Sequence, residues 1–375
     1  MNHNNNNPTS NMPIKIALIG CGRISEKHIQ AIACQGANAQ ISAICDIDHE
    51  RISKAKELIN NVFKNQNQLN KEISIFNQYD EFIQAVKKEE IEIDLIVLTT
   101  PSGLHPKQTV MAAEVGLNVC TEKPMATSWQ DGVSMVKACE ENKVKLFVVK
   151  QNRFNQTLQL LKRQIDKDRF GKLAIINVNV FWQRPQEYYD QDAWRGTSTL
   201  DGGALMNQAS HYVDLLNWLV GPVESVNCSV ATISRKIEVE DTAALKLELS
   251  NGALATMAVT MLAYPENFEG SITILGENGI VRVGGKALNS IDHWSFADNT
   301  DDDLKAKESC YLPKNVYGLG HSPYYKNMIN SLYGKEKTIC DGREGLKSLE
   351  LIIASYLSSK YKKTIKIPFD KENYI

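Results

Sequence analysis

The sequence has no large excess of charge and no long apolar run. It carries 42 lysines and arginines against 44 aspartates and glutamates, a formal net charge of −2 over 375 residues. This balance gives no electrostatic footprint for nucleic acid or an anionic membrane surface, so we expect neither as a partner. No apolar segment approaches the roughly 18 residues of a membrane-spanning helix, and the Asn-rich N-terminus lacks the apolar core of a signal peptide. We therefore expect residues 1–12 to form a disordered tail and the protein to be cytoplasmic.

The sequence also lacks the cysteine spacing of a disulfide framework or a zinc site. Its eight cysteines include no C-x-x-C pair, and most fall within apolar segments that we predict as strands or helices. They are therefore predicted to be buried free thiols of a reducing compartment, and we expect no metal ion. Hydrophobic residues make up 43% of the chain, which supplies core for two or more domains at roughly 150 residues each.

The start of the sequence contains the order of elements that holds a dinucleotide. Residues 14–19 are predicted to form a buried strand, residues 26–35 a helix and residues 41–45 a second strand, with a glycine turn over residues 20–25. Such a turn lets a pyrophosphate approach backbone N–H groups at the positive end of a helix. Because Ser25 stands where a third glycine or alanine is usual, the strand–turn–helix context carries the prediction. The predicted cofactor ligands here are Gly20, Gly22, Arg23, Ile24 and Asp46.

The acid after the second strand favours NAD over NADP. Asp46 lies 26 residues after Gly20, close to where a carboxylate accepts hydrogen bonds from the adenosine ribose. The same carboxylate would face a 2′-phosphate, and like charges about 4 Å apart cost roughly 4 kcal/mol at an effective dielectric near 20. The nearest cation is Arg51, beyond residues 47–50. The alternative is an ordinary strand–helix–strand turn that binds no ligand.

Strands and helices alternate to about residue 149 and then give way to longer strands. The alternation predicts a doubly wound parallel sheet, an NAD-binding Rossmann domain over residues 13–149 of an α/β fold. Turn signals such as residues 250–252 predict antiparallel hairpins beyond it, so residues 150–375 are predicted to form an α+β domain with a large open, mainly antiparallel sheet. An open sheet needs a cover on one face, and we expect oligomerisation through it. The further strands predicted are 94–99, 117–121, 145–149, 174–182, 223–234, 242–249, 253–261, 270–275 and 280–283, and the helices of the first domain include 106–115 and 128–142.

Two segments follow predicted parallel strands at their carboxyl ends, where an α/β sheet binds its ligand. They are residues 99–105, Thr-Thr-Pro-Ser-Gly-Leu-His, and residues 122–124, Glu-Lys-Pro. A lysine at a strand end is usually a solvated cation. Its place between a glutamate and a proline favours a directed ammonium, and the bond before Pro124 is a candidate for the cis form. The predicted cofactor ligands here are Thr100, Pro101, His105, Glu122 and Lys123.

A third cluster lies in a predicted helix of the second domain. Asn207, His211 and Asp214 are spaced i, i+4 and i+7, so they share one arc of a regular helix. This arc either faces water, holds a satisfied core histidine, or presents a catalytic base. Trp218 on the same side favours the last, because a neutral imidazole accepts a proton at neutral pH. The packing arc is predicted to contain Leu205, Ala209, Tyr212, Leu215, Leu216 and Leu219.

Together these motifs resemble those of the Gfo/Idh/MocA oxidoreductases. That family pairs an N-terminal Rossmann domain with a C-terminal open-sheet α/β domain, and the glycine turn, Thr-Pro-x-x-x-His, Glu-Lys-Pro and Asn-x-x-x-His are similar to its motifs. Longer segments resemble a narrower group, the UDP-N-acetylglucosaminuronate 3-dehydrogenases. These enzymes act in the synthesis of surface polysaccharides such as the O-antigen of lipopolysaccharide. The likeness runs from about residue 14 to about residue 365, and the segments are residues 151–155, 181–189, 194–196, 206–214 and 269–276.

The resemblance implies a reaction and a cofactor. NAD⁺ would take a hydride from C3 of the hexuronic acid ring and leave a 3-keto nucleotide sugar. Lys123 would hold the reacting oxygen, His211 would abstract the proton and Asn207 would orient the sugar. Lys123 and His211 could exchange roles, because a lysine of depressed pKa is also a base. The resemblance further implies a homotetramer and recycling of NADH by 2-oxoglutarate.

Recognition of this substrate requires donors for a carboxylate and a diphosphate. An arginine can bind either group through two hydrogen bonds, although each arginine could instead form a surface or interface ion pair. Aromatic rings can stack on a sugar or on uracil. Two other functions stay open: a family oxidoreductase acting on a free sugar or polyol, and a non-catalytic NAD-binding sensor. The presence of both Lys123 and His211 argues against the sensor. The predicted substrate ligands are Arg153, Trp182, Arg184, Tyr188, Arg195 and Asn207.

Overall fold

The structure, a computed structural model, describes residues 12–65, 72–313 and 317–370. The tail that we predict to be disordered lies outside the described residues, except for Met12. The described residues form two compact units. One contains those of Met1–Ala126, Gln130–Val149 and His321–Leu346, and the other contains those of Thr127–Trp129, Lys150–Gly320 and Lys347–Ile375.

The first unit contains the predicted parallel sheet. Its strands are β1 (Ile14–Ile19), β2 (Ala39–Cys45), β3 (Ser74–Phe76), β4 (Leu95–Leu98), β5 (Asn118–Thr121) and β6 (Leu146–Val148). They pair in parallel in the order β3-β2-β1-β4-β5-β6. The central strands are buried almost throughout, because a doubly wound sheet packs both of its faces and therefore needs nearly continuous apolar runs. The predicted Rossmann fold is confirmed.

The second unit contains a mixed sheet of eight strands. They are β7 (Leu173–Phe181), β8 (Val223–Ala231), β9 (Thr242–Leu249), β10 (Leu254–Thr260), β11 (Glu269–Gly276), β12 (Gly279–Gly284), β13 (Ser290–Phe296) and β14 (Ile365–Lys366). Their order is β13-β12-β11-β7-β10-β9-β8-β14. Strands β7 and β10 pair in parallel and the other neighbours pair antiparallel. The predicted mainly antiparallel sheet is confirmed, with β13 and β14 added at its two edges.

The predicted helices of the first domain are confirmed within about two residues at each end, which is the usual uncertainty of a helix boundary. The α-helices of the described residues are α1 (Ser25–Ala33), α2 (His49–Asn65), α3 (Tyr79–Lys87), α4 (His105–Glu114), α5 (Trp129–Glu141), α6 (Gln156–Asp166), α7 (Gln186–Asp190), α8 (Ser210–Val220), α9 (Asp301–Glu308), α10 (His321–Leu332) and α11 (Gly342–Tyr361).

All eight cysteines have free thiols. Six are buried as predicted, but the prediction is wrong for Cys34 and Cys310, which are exposed. Cys34 caps the end of α1 and Cys310 follows α9, so both lie past the last packed turn of a helix. Within the described ranges, no helix is both long enough and apolar enough to span a bilayer.

Candidate active site

The glycine turn after β1 fits a dinucleotide phosphate in two ways. Gly20 has a φ of +95°, and a Cβ there would lie 2.8 Å from the backbone carbonyl carbon of Thr99, so the chain after β4 passes too close for a side chain. A Cβ on Gly22 would meet no heavy atom within 4 Å, so the turn is open on that side. Helix α1 begins just beyond, and its first N–H groups provide an anion site. The other predicted ligands of the turn are the exposed Arg23 and the half-buried Ile24.

Asp46 lies against the same turn at the end of β2. Its carboxylate accepts hydrogen bonds from the backbone N–H groups of Cys21 at 2.6 Å and Asp48 at 2.9 Å. From this position an acid meets the ribose of NAD and repels a 2′-phosphate. Arg51, the nearest cation in the sequence, lies 3.4 Å from the Asp48 carboxylate. The residues therefore fit NAD.

His105 joins the two segments that we predict to line the nicotinamide. Its ring is 1% exposed, with Nδ1 3.1 Å from the Pro124 carbonyl oxygen and Nε2 2.9 Å from the Thr100 carbonyl oxygen. Burial lowers the pKa of His105 below its ordinary value, so the ring is neutral at physiological pH and donates to one carbonyl at a time. Thr100 also donates through Oγ1 to Gln108 at 2.6 Å, and Pro101 precedes a short helical turn. The two strand ends are thereby held next to each other.

The Glu122 side chain is buried between helix α1 and its own backbone. It is 7% exposed, Oε1 lies 3.0 Å from His28 Nε2, and Oε2 accepts the backbone N–H of Lys123 at 3.1 Å. Burial alone would raise the pKa of this carboxyl, but the His28 hydrogen bond and the charges of His28 and Lys123 lower it to about 2. Glu122 is therefore ionised. The Lys123 side chain is half-buried, and the Lys123–Pro124 bond is cis, as predicted.

One group of potential metal ligands occurs among the residues that the structure describes. Ligand atoms of His28, Glu122 and His321 lie within 4.8 Å of one another, and all three residues are buried. Both ring nitrogens of His28 have partners, since Nδ1 lies 2.7 Å from the Tyr325 hydroxyl and Nε2 faces Glu122. Our expectation that the protein uses no metal stays a prediction.

The predicted catalytic helix of the second unit begins with a π-helical turn, Ala204–Gln208, and α8 follows it. A π turn contains more residues than an α turn, so a uniform helical period does not apply across it. Asn207 donates from its amide to the Asp201 carboxylate. The half-buried His211 has its Nε2 3.1 Å from the side-chain nitrogen of Gln151.

Asp214 is buried and does not share an exposed arc with Asn207 and His211. Its carboxylate accepts two hydrogen bonds from Arg153, at 2.7 and 2.9 Å, and one from the Ser348 hydroxyl at 2.7 Å, and it lies 3.0 Å from Lys150 Nζ. Burial alone would raise the pKa of Asp214, but Lys150 and Arg153 hold it well below its ordinary value. Within the regular helix α8, His211 and Asp214 are spaced i, i+3 and lie on the same side, so the buried Asp214 excludes only the interpretation in which the whole arc faces water. The Arg153 guanidinium, predicted to bind substrate, is 2% exposed and engaged by Asp214.

The other predicted substrate cations and aromatic residues, together with Trp194, lie around the ring of Tyr188. The guanidinium carbons of Arg184 and Arg195 lie 5.3 Å and 4.6 Å from the centre of this ring. The same guanidinium groups lie 5.2 Å from the Trp182 ring and 4.6 Å from the Trp194 ring, respectively. Such cation–π contacts contribute about 0.5–2 kcal/mol each. We refer to Trp182, Arg184, Tyr188, Trp194 and Arg195 as the arginine–aromatic cluster.

Gln208, which sequence analysis did not select, connects this cluster to the π turn. Its amide nitrogen donates to the Tyr188 hydroxyl at 3.1 Å, and its oxygen accepts from Nε of Arg184 at 3.1 Å. Gln208 directly follows Asn207, so the cluster is fixed relative to that predicted sugar ligand. A glutamine carries no distinctive signal in a single sequence, and only its neighbour Asn207 pointed to this position.

A buried glutamate, also not selected, supports the start of the π turn. Glu240 accepts a hydrogen bond from the Leu205 N–H at 2.8 Å and another from the Tyr356 hydroxyl at 2.9 Å. A Cβ on Gly203 would lie 1.8 Å from the Glu240 carboxylate, so the approach requires glycine. Burial raises the pKa of Glu240. The pair Gly202-Gly203 before the turn is the sequence signal that could have revealed a close approach.

Comparison with known proteins covers both units. The family model described as an oxidoreductase family with an NAD-binding Rossmann fold, Gfo/Idh/MocA, matches residues 14–150, and the model of its C-terminal alpha/beta domain matches residues 162–367. The WlbA dehydrogenase from Bordetella pertussis, solved in complex with NADH and UDP-GlcNAcA, is 50% identical, with a TM-score of 0.89 and coverage of 97% of this chain and 100% of that chain.

Two further relatives extend the comparison. The WlbA dehydrogenase from Chromobacterium violaceum, solved with the same two ligands, is 48% identical, with a TM-score of 0.88 and coverage of 97% and 98% of the two chains. D-apiose dehydrogenase from Paraburkholderia graminis is 23% identical over 94% of this chain and 89% of its own length.

Proposed function

Because this chain belongs to the Gfo/Idh/MocA oxidoreductase family, we propose that it oxidises the C3 hydroxyl of UDP-N-acetylglucosaminuronate with NAD⁺. The observation that carries the proposal is the full-length likeness, at 50% identity, to a dehydrogenase solved with NADH and UDP-GlcNAcA. The arginine–aromatic cluster supports it, because a uronate and a diphosphate are anions that guanidinium groups bind bidentately.

In the proposed reaction, bound NAD⁺ supplies the acceptor for the hydride that leaves C3. The Lys123 ammonium holds the reacting oxygen, His211 takes the hydroxyl proton, and the Asn207 amide orients the sugar. A positioned base of this kind contributes about 10²–10⁴ in rate. His211 then releases the proton to solvent, and C3 is left as a ketone.

The proposed cofactor and substrate contacts follow from the positions described above. The glycine turn and Asp46 hold the pyrophosphate and the adenosine ribose, and the arginine–aromatic cluster holds the anionic groups of the substrate. We propose that Arg153 acts through its bond to Asp214 and fixes α8, rather than by contacting substrate. The remaining residues proposed to line the cofactor are Arg23, Ile24, Thr100, Pro101, His105 and Glu122.

The test is an incubation of the purified full chain with UDP-N-acetylglucosaminuronate and NAD⁺, followed by mass spectrometry. The expected product is lighter than the substrate by two hydrogens, with the ketone at C3. UDP-N-acetylglucosamine, which lacks the carboxylate, is the matched control and should turn over far more slowly. Oxidation of inositol or a free hexose in place of the uronate would refute the substrate, and binding of NADH without turnover of any sugar would support the sensor.

We extend the proposal to the fate of NADH, on the resemblance described for the sequence. A second carboxylate-bearing substrate, 2-oxoglutarate, takes the hydride at its keto carbon and a proton from solvent at its keto oxygen, and so becomes 2-hydroxyglutarate and restores NAD⁺. With substoichiometric NAD⁺, the expected amount of 3-keto product exceeds the amount of cofactor only when 2-oxoglutarate is present. Equal yields with and without 2-oxoglutarate would contradict this step.

Arg184 offers a direct test of substrate binding by the cluster. Its guanidinium donates to the oxygens of Gln183, Gln208 and Asn267, and these acceptors position it before substrate arrives. Loss of a hydrogen bond to a charged group costs about 1.5–3 kcal/mol, so Arg184→Met should raise KM for the uronate by at least about tenfold. The control is Arg163→Met, which removes an arginine paired with Asp302. Equal KM values for the two variants would contradict the proposal that the arginine–aromatic cluster binds the substrate.

We also propose that the chain forms a homotetramer, as the resemblance implies, and an exposed apolar row on the sheet of the second unit supports an interface there. Leu254 of β10 pairs with Ile175 of β7, which pairs with Leu275 of β11, which in turn pairs with Ile280 of β12. Leu254, Ile175 and Ile280 are 46%, 42% and 39% exposed. A contiguous apolar row of this kind on a sheet face marks an interaction surface.

Charge placed on this row should separate the subunits. By light scattering after gel filtration, we expect wild-type protein to have a mass about four times the 42.0 kDa of the chain. The Ile175→Lys, Leu254→Lys double variant should elute as a smaller species, because its lysine ammonium groups would be buried in the interface without partners. Leu304→Lys, at a 76% exposed residue of α9, is the control. A double variant that keeps the wild-type mass would place the interface elsewhere.

We also propose a cytoplasmic location and a role in making nucleotide sugars for lipopolysaccharide O-antigen. Eight free thiols suit a reducing compartment. Cell fractionation tests the location, and loss of O-antigen in a deletion strain tests the role.

A further inference from the structure

A buried chain of hydrogen bonds runs from α10 through α1 to the backbone of Lys123. The Tyr325 hydroxyl lies 2.7 Å from His28 Nδ1, His28 Nε2 lies 3.0 Å from Glu122 Oε1, and Glu122 Oε2 accepts the Lys123 N–H at 3.1 Å. Tyr325 and His28 are fully buried, and Glu122 is 7% exposed. No part of the proposed reaction uses this chain directly.

Each contact of the chain pairs a group that can donate with one that can accept. Glu122 is ionised and can only accept, so His28 carries a hydrogen on Nε2. Burial holds the pKa of Tyr325 well above its ordinary value, so the hydroxyl keeps its proton, and it lies within hydrogen-bond distance of Nδ1 of His28. Each buried polar atom of the chain then has a partner, and a fully satisfied buried network is rigid.

We propose that His28 and Tyr325 are positioning residues that fix the direction of the Lys123 ammonium. They act through the Glu122 carboxylate. Its Oε1 is held by His28, and its Oε2 accepts the backbone N–H of Lys123. This fixes the peptide between Glu122 and Lys123, and therefore the point from which the lysine side chain leaves. The inference rests on the proposed function, in which Lys123 holds the reacting oxygen.

The chain also accounts for the buried His28–Glu122–His321 group without a metal ion. The His28 and His321 rings meet edge to face, with their centroids 5.7 Å apart and their planes at 84°. Both nitrogens of His28 are used within the chain. Elemental analysis of the purified protein should therefore find no stoichiometric transition metal, and an equivalent of zinc would overturn the proposal, since His28 and Glu122 would then be ligands.

Two adjacent tyrosines provide a matched pair of variants. Tyr325→Phe removes the hydroxyl that meets His28, and Tyr324→Phe removes an equally buried hydroxyl that lies 3.4 Å from the Cys120 sulfur. We expect Tyr325→Phe to lower kcat about tenfold, with KM for NAD⁺ and for the uronate within about twofold of wild type, because a small misplacement of a catalytic group reduces the rate without loss of binding. Tyr324→Phe should keep kcat within about twofold. Equal kcat values for the two variants would overturn the proposal.

Variants of His28 separate positioning from a structural role. His28→Gln keeps an N–H donor for Glu122 and should retain more kcat than His28→Leu, which keeps none. Without a donor, the pKa of the buried Glu122 carboxyl is higher. As the pH is lowered, kcat of His28→Leu should therefore fall at a higher pH than kcat of wild type. Tyr324→Phe should keep the wild-type pH profile. A His28→Leu profile equal to that of wild type would contradict the mechanism. The groups that face Glu122 are His28 on α1, His105 on α4, Cys120 on β5, Lys123, and His321 and Tyr325 on α10.

A measurement without turnover keeps this test independent of the proposed function. An amine-reactive reagent labels Lys123 at a rate that depends on its surroundings, and mass spectrometry of the peptide reports that rate. We expect Tyr325→Phe to change the rate at least about threefold and Tyr324→Phe to leave it unchanged. Wild-type protein that oxidises no uronate would refute the function, whereas equal labelling of Lys123 in the two variants would refute the positioning chain.

Discussion

Replacement of His211 with alanine should lower the turnover of UDP-N-acetylglucosaminuronate at least about a hundredfold and leave NAD⁺ binding intact. A positioned general base contributes about 10²–10⁴ in rate, and the predicted cofactor contacts lie in the other unit. Single-turnover formation of NADH, followed by its absorbance, reports the chemical step, and titration of NADH fluorescence reports binding.

The control for this variant is His293→Ala, which removes an exposed histidine of β13. It should keep wild-type values in both measurements. Lys123→Met tests the reverse assignment of roles. If His211→Ala retains turnover while Lys123→Met loses the alkaline-rising limb of the pH profile, then the lysine is the base and the histidine is not.

Substitution of Asp214 by asparagine should destabilise the second unit by about 3–5 kcal/mol, because it leaves two buried cations without their carboxylate. Lys150 and Arg153 are 5% and 2% exposed at their side chains. Urea unfolding followed by tryptophan fluorescence measures this directly, since all five tryptophans belong to the second unit. Asp166→Asn, which breaks an exposed pair with Lys162, should cost less than about 1 kcal/mol.

The pH dependence of this effect has a definite sign. The pKa of Asp214 is lower in the folded protein than in the unfolded chain, so its contribution is complete above the unfolded value of about 4 and is lost as pH falls below it. The difference in free energy of unfolding between wild type and Asp214→Asn should therefore be largest at neutral pH. This difference should decrease as the pH falls. A constant gap between pH 7 and pH 3 would show that the effect comes from packing instead.

Much of the fold was predictable because local patterns agree with it. The strands around β1 are nearly continuous apolar runs, which a sheet packed on both faces requires, and the predicted bounds of β9, residues 242–249, are those observed. Strand β13 was missed because Ser290-Ile-Asp-His-Trp-Ser-Phe lacks a continuous apolar run, and none of its residues is buried in the structure. An edge strand is held mainly by its neighbour, and a single sequence does not show that neighbour.

The contacts of the predicted site residues were predictable only in part. Trp182, Arg184, Tyr188 and Arg195 were selected by residue type, and the structure brings their side chains together. Arg153 was selected by the same criterion, yet its charge belongs to Asp214, 61 positions away in the chain. Residue type shows what a side chain can bind, but not which partner the fold places beside it.

His28 and Glu240 illustrate the same limit from the other side. Both are buried polar residues, His28 in helix α1 and Glu240 in the loop between β8 and β9, and neither has a motif of its own. Their contacts form only when the chain folds. His28 then contacts Tyr325 and Glu122, and Glu240 contacts Leu205 and Tyr356.

The π turn at Ala204–Gln208 has a consequence for how this region can change in length. An i→i+5 turn contains one residue beyond an α turn, so deletion of a single residue there converts it to regular α-helix and rotates everything before it by about 100° relative to α8. Asn207 lies in the turn and His211 in α8, so a deletion that falls between them would change the direction of the predicted sugar ligand relative to the predicted base. Insertions and deletions in this segment are therefore changes of active-site geometry, even though elsewhere one residue more or less in a loop is tolerated.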